Sequence, residues 1–273
     1  MARSSRSTAP ASARRKPAKR RAPKRALPRL PRGARERAAL AVKRLAEIYP
    51  AACELDHQNP FQLTVATILS AQTTDKMVNL VTPELFARYP TAADLAAADL
   101  ADVERIIKPT GFFRNKARAI IACARAIVDR FGGEVPSRME DLVTLPGIGR
   151  KTANVILGVA FDVPGFAVDT HVTRLTNRLR LVATRDPQKI EALVTKMVPP
   201  VEWTGLSLRL ILHGRRVCEA RRPRCEVCVM NDFCPSSTVK PGQPPAQGTL
   251  SPGPGVPAKP ASWGGEPGEG AVS

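Results

Sequence analysis

The stretch LPGIGRKTA, residues 145–153, decides how the chain is read. Pro146 and Gly147 end whatever helix precedes them, while Arg150 and Lys151 open a run with helical apolar spacing over residues 150–161. Upstream, Ser137 and Glu140 stand at capping-box spacing, which predicts a helix starting there and running into Thr144 and Leu145. The link PGIG leaves room only for a tight hairpin, and Gly147 and Gly149 permit backbone angles and close approach that a Cβ would prevent. Backbone N–H groups at the start of the second helix then point outward, where the helix dipole also favours an anion. The stretch is predicted to seat a phosphate by its main chain, without reading bases.

Lys151 adds a second feature. A lysine in the first turn of a helix opposes the dipole, which disfavours the ammonium. Desolvated in a filled cleft, the neutral amine is a nucleophile able to form a Schiff base. From spacing alone, a phosphate-contacting or solvated lysine is the simpler reading.

The rest of the chain gives the hairpin a helical setting. Hydrophobic residues make up 43% of the 273 and aromatics only 4%, enough apolar content for a core, and the apolar positions recur at three-to-four spacing. An all-α fold is expected. Helices are predicted over residues 34–49, 59–70, 74–89, 91–97 and 99–107. The segment NKARAIIACARAIVDRFGG, residues 115–133, places Ala119, Ile120, Cys123, Ile127 and Phe131 on one face and stops at a glycine cap. Cys123 and Cys53 read as small buried hydrophobes.

Charge is unevenly placed. Residues 1–32 hold twelve Lys or Arg and no acid, and residues 237–273 are neutral, which leaves +6 of the net +18 on residues 33–236. A basic core with a basic arm points to a polyanionic partner, nucleic acid before an anionic membrane surface. The arm resembles a mitochondrial transit peptide in composition, but Pro10, Pro17, Pro23, Pro28 and Pro31 would interrupt the amphipathic helix such a peptide needs. It is expected to be a disordered nucleic-acid-binding arm, and residues 237–273, with eight Pro and eight Gly, a disordered tail. No apolar run approaches the ~20 residues of a membrane span, so a soluble, cytoplasmic protein with no membrane partner is expected.

Two further motifs carry chemistry. FAVDTHVTRL, residues 166–175, sets Asp169 at the head of a helix whose Val172, Leu175 and Leu179 share a face. Asp is among the best N-caps, and beside a reactive amine its carboxylate could also accept a proton and stabilise positive charge at a sugar C1′. Cys218, Cys225, Cys228 and Cys234 follow as C-x6-C-x2-C-x5-C within seventeen residues. Such a set in an intracellular protein is a metal framework. Only Cys225 and Cys228 have zinc-ribbon spacing, and a cubane iron-sulfur cluster also takes four thiolates, so the chemistry alone leaves zinc and iron-sulfur close together.

LPGIGRKTAN, VDTH and the four cysteines, in that order, resemble the endonuclease III family of helix-hairpin-helix DNA glycosylases and abasic-site lyases, as do SAQTTD (70–75), TGFFRNKA (110–117) and ILHGRRVC (211–218). The resemblance covers residues 35–236. It implies a six-helix lobe over residues 61–163 bearing the hairpin, and a second lobe built from the first helix (33–60) and residues 164–236, with damaged double-stranded DNA in the groove between them. It implies Lys151 as Schiff-base nucleophile, Asp169 as the essential carboxylate, and a [4Fe-4S] cluster on Cys218, Cys225, Cys228 and Cys234. Gln72 and Phe112 would fill the gap left by a flipped base, with Phe113 more simply a core residue. Gly147, Gly149, Arg150, Arg221, Arg222 and Arg224 would contact DNA, with Arg215 and Arg216 extending the patch. The implied activity is removal of oxidised pyrimidines followed by β-elimination 3′ to the lesion, by a monomer. A related adenine-mismatch glycosylase typically lacks the lysine and carries a further domain; a zinc-knuckle DNA-binding module would form no covalent adduct.

Deleting residues 1–32 is expected to weaken duplex binding and flatten its salt dependence, by about 0.9 in the log–log slope for each phosphate the arm neutralises. Binding titrations across salt concentrations check this, and an unchanged slope contradicts it.

Overall fold

The computed structural model describes residues 27–239. Most of the arm and nearly all of the tail lie outside the described residues. Among the described residues the regular structure is helical, with no strand, and no helix is long and apolar enough to cross a membrane.

The helices are α1 (Ala34–Ala46), α2 (Pro60–Leu69), α3 (Asp75–Arg88), α4 (Ala92–Ala96), α5 (Leu100–Ile107), α6 (Phe113–Phe131), α7 (Met139–Leu142), α8 (Arg150–Ala160), α9 (Thr170–Arg178), α10 (Pro187–Val194) and α11 (Trp203–Arg216). Their boundaries follow local chemistry. Asn59 caps α2 ahead of Pro60, Thr74 caps α3, Thr91 and Asp94 form a reciprocal capping box on α4, and Asp99 caps α5. Gly132, in the left-handed region at φ 63°, ends α6.

The capping box expected at Ser137 is not formed. The cap of α7 is Arg138, without a side-chain hydrogen bond, and Glu140 pairs with the Arg138 guanidinium at 2.5 Å instead. α7 is a single turn of four residues, followed by turns that reach Leu145 ahead of Pro146.

Apolar side chains gather into two clusters. One joins residues of α2 to α8, among them Leu69, Leu85, Leu95, Ile120, Ile127 and Ile156. The other joins α1 to the residues after 165, among them Leu45, Phe166, Leu175 and Leu210. The seam between them is close. A Cβ on Gly158 of α8 would lie 2.3 Å from Thr204 Oγ1 of α11.

Residues 162–169 leave α8 without regular structure and return along it. Val163 N–H donates to the Leu157 carbonyl at 3.0 Å, and Asn154 Nδ2 donates to the Phe166 carbonyl at 3.3 Å. A Cβ on Gly165 would stand 2.5 Å from the Asn154 carbonyl oxygen, so only glycine fits there. From the other side, Gly165 N–H donates to Thr204 Oγ1 at 3.3 Å and Ser207 Oγ donates to the Ala167 carbonyl at 2.8 Å. The returning strap is thereby fixed between α8 and α11.

Because the atom facing Gly165 belongs to the backbone, Gly165→Ala cannot be relieved by a side-chain rotation. The substitution is expected to cost about 1–3 kcal/mol, read as a fall of several degrees in Tm. An unchanged Tm contradicts the strap.

Candidate active site

The strap brings the first turn of α8 and the first turn of α9 to the same cleft. The cleft, about 810 Å³, is lined by Gln72, Asp75, Lys151, Asp169, His171 and Arg215 among others. Lys151 is exposed, and its ammonium makes no hydrogen bond or ion pair among the described residues. Asp169 caps α9, with Oδ1 accepting from Val172 N–H at 2.8 Å. Capping and facing the cleft are therefore both properties of one carboxylate. Cys53 also lines the cleft; burial pushes its thiol up to about 11, against the pull of nearby Lys151 and Arg215, so it is a neutral thiol there. Cys123, inside the first cluster, is pushed up to about 12 by burial.

The turn ahead of α8 separates the two glycines expected to act alike. Gly147 has φ 80°, a conformation that disfavours other residues, and its missing Cβ faces Ile68 and Ala119. Gly149 is extended at φ −93° with nothing within 4 Å of a Cβ, so the fold does not need glycine there. Open space in front of uncapped N–H groups is what an external anion requires.

Gln72 and Phe112 both take left-handed backbone angles, φ 55° and 47°, on the loops before α3 and α6. Such angles are uncommon for residues with a Cβ, and both side chains are exposed, Phe112 by 67%. Phe113, one residue on, packs against the first cluster, as its place on α6 predicts.

The arginines divide. Arg221 and Arg222 are exposed. Arg150, expected to contact DNA, forms a bidentate pair with Glu191 of α10, at 2.7 and 2.8 Å. Arg215 and Arg216, expected to widen the basic patch, are neutralised within the fold. Arg215 bonds Glu54 at 2.6 Å and Asp75 at 2.7 Å, and Arg216 bonds Glu54 at 2.9 Å, joining α11 to the other side of the cleft. Arg224 donates to the Arg216 carbonyl. Spacing could not reveal the carboxylate pairings, because the partners lie 41 residues away for Arg150 and 140 or more for Arg215 and Arg216.

The four cysteines of the motif line one small cavity with Arg178, His213 and Asn231. Burial pushes the Cys228 thiol up to about 12, and the other three cysteines push the same way. Asn231 is buried with both amide atoms unpartnered, as expected of a wall that faces a bound group. Among the described residues no three His, Cys, Asp or Glu converge closely enough to hold a single metal ion. Four thiols around one cavity, with the Asn231 amide unpartnered on its wall, fit the four cysteine ligands of a cubane cluster. Arg174 and Arg178, one turn apart on α9, carry no sequence signal of a role, yet both secure the cysteine loop. Arg174 donates to the Cys218 and Gly214 carbonyls, and Arg178 to the Glu219 and Ala220 carbonyls and to Cys218 Sγ at 3.2 Å.

This helical hairpin, cleft and cysteine centre define a known class: residues 65–200 match the HhH-GPD superfamily of base excision DNA repair proteins. Residues 218–234 match the iron-sulfur binding domain of endonuclease III. The chain is 52% identical over 205 residues to endonuclease III of Synechocystis, covering 74% of this chain and 94% of that one, and 44% identical to that of Bacillus subtilis, covering 70% and 88%. A solved structure of a trapped endonuclease III–DNA covalent intermediate superposes with a TM-score of 0.69 at 41% identity, over 74% of this chain and 96% of that one. The chain belongs to the endonuclease III family.

Proposed function

We propose that this base excision repair enzyme removes oxidised pyrimidines from duplex DNA and cleaves the abasic strand, with Lys151 as nucleophile and Asp169 as its charge partner. The observation that carries the assignment is the single cleft lined by both residues. The neutral Lys151 amine is the form that attacks. Nζ attacks C1′, the glycosidic bond breaks, and its electron pair leaves with the base. Asp169 stabilises the positive charge that develops at the sugar and accepts the proton shed by Nζ. The proton held by Asp169 passes to O4′ as the sugar ring opens, leaving a protonated Schiff base between Lys151 and C1′; water takes a C2′ proton, and the electron pair of that C–H bond expels the 3′ phosphate. The trapped covalent intermediate of a relative is in keeping with this route.

Outside the cleft, Gly149 and the N–H groups of α8 seat a phosphate, and the exposed Arg221 and Arg222 hold the backbone further along. Gln72 and Phe112 enter the duplex where the damaged base has left it; the large ring of Phe112 favours stacking on a neighbouring base over plugging the gap. The iron-sulfur cluster, bound by Cys218, Cys225, Cys228 and Cys234, fixes the loop that carries the arginines and supplies no hydrolytic chemistry. The cleft is complete within one chain, which supports a monomer, and the similarity to bacterial endonuclease III supports a cytoplasmic protein acting on the chromosome.

Borohydride should trap the wild-type protein on DNA carrying thymine glycol or an abasic site, and Lys151→Ala should lose the crosslink; equal yield in the variant removes Lys151 as nucleophile. Asp169→Asn keeps a side chain that caps helices equally well. It is expected to leave Tm nearly unchanged and to slow base release by on the order of 10²-fold. Global unfolding of this variant would reduce Asp169 to a cap.

A further inference from the structure

Two hydrogen bonds behind the cysteine centre have no part in the scheme above. Tyr49 Oη lies 3.2 Å from His213 Nδ1, and His213 Nε2 lies 3.3 Å from Cys228 Sγ. Tyr49 follows α1, His213 is on α11, and the two rings meet edge-on at 5.8 Å and 71°. Both are sealed from solvent, at 3% and 0% exposure, and Arg216 lies over the Tyr49 ring at 5.9 Å. The His213 ring has no other polar partner among the described residues.

A neutral imidazole carries its proton on one nitrogen, and the hydrogen bond at one end decides the other. A thiol at Cys228 could donate to Nε2. A cluster-bound thiolate has no proton and can only accept. With the cluster held, Nε2 must therefore carry the proton, Nδ1 must accept, and the Tyr49 hydroxyl must be the donor to it. The other tautomer would set the Nε2 lone pair against the thiolate sulfur in a setting with no water to separate them. Arg178, which bonds Cys218 Sγ, needs no such arrangement because a guanidinium can only donate.

We propose that Tyr49 is a positioning residue for the cluster: its hydroxyl fixes His213 in the Nε2–H form, which holds an N–H···S hydrogen bond on Cys228 and raises the cluster's reduction potential. Hydrogen bonds to ligand sulfur withdraw electron density and favour the reduced state. Removing the Tyr49 hydroxyl leaves the buried Nδ1 lone pair unpaired in the Nε2–H form, so that form loses its support and the bond to sulfur weakens. The inference rests on the iron-sulfur centre and not on the catalytic role of Lys151.

The test uses the holoprotein labelled with 15N-histidine. Electron–nuclear double resonance on the cluster after one-electron reduction by dithionite or a low-potential electrode, which makes it paramagnetic, should detect an imidazole nitrogen bearing an exchangeable proton; a spectrum of the reduced wild-type cluster without that coupling overturns the proposal. Tyr49→Phe keeps the ring and should weaken the coupling, move the potential measured by voltammetry to more negative values, and retain base excision. An unchanged potential in Tyr49→Phe also overturns it. The same shift is expected in a Lys151→Ala background, which separates failure of this inference from failure of the catalytic assignment.

Discussion

The contact between Gly165 and the Asn154 carbonyl is the constraint on which the site depends. A side chain at residue 165 would push the returning strap off α8, and Asp169 with it. Thr204 and Ser207 of α11 hold the opposite edge of the strap through its backbone, so both apolar clusters meet at this seam. Lys151 stands in the first turn of one of the two helices it joins, and Asp169 caps the other. Two residues far enough apart to belong to different helices thus reach one cleft without either being held by the other.

Charge within the fold is sorted between structure and ligand. Arg150, Arg215 and Arg216 are paired with carboxylates, and Arg174 and Arg178 with carbonyls of the cysteine loop. Lys151, Arg221 and Arg222 remain at the surface without such partners. The paired set contributes rigidity where the clusters join, and the pair of Arg215 with Glu54 and Asp75 spans the cleft itself. An electrostatic map drawn from composition would count all of these as one basic patch, whereas Arg150, Arg215 and Arg216 are paired with carboxylates of the fold.

Helix ends were the most legible part of the sequence, because Asn59, Thr74, Thr91, Asp99, Asp169 and Gly132 act on backbone groups within a few residues of themselves. Ser137 misled for the same local reason: Arg138 competed for Glu140, and an ion pair between exposed side chains displaced the box. The cleft residues were legible as types, but their meeting was not, since it depends on a strap whose defining contacts join residues 154, 165 and 204. Gly149 shows the limit from the other direction. It reads in sequence as a second turn glycine, and only the structure separates it from Gly147, whose backbone angle requires glycine.

The central claim is that the Lys151 amine forms the covalent bond to C1′ from the cleft it shares with Asp169. Proteolysis of the borohydride-reduced complex followed by mass spectrometry locates that bond directly. The account predicts a single nucleotide-modified peptide with the added mass on Lys151. Modification of a different lysine, or of the chain's N-terminal amine, would contradict it.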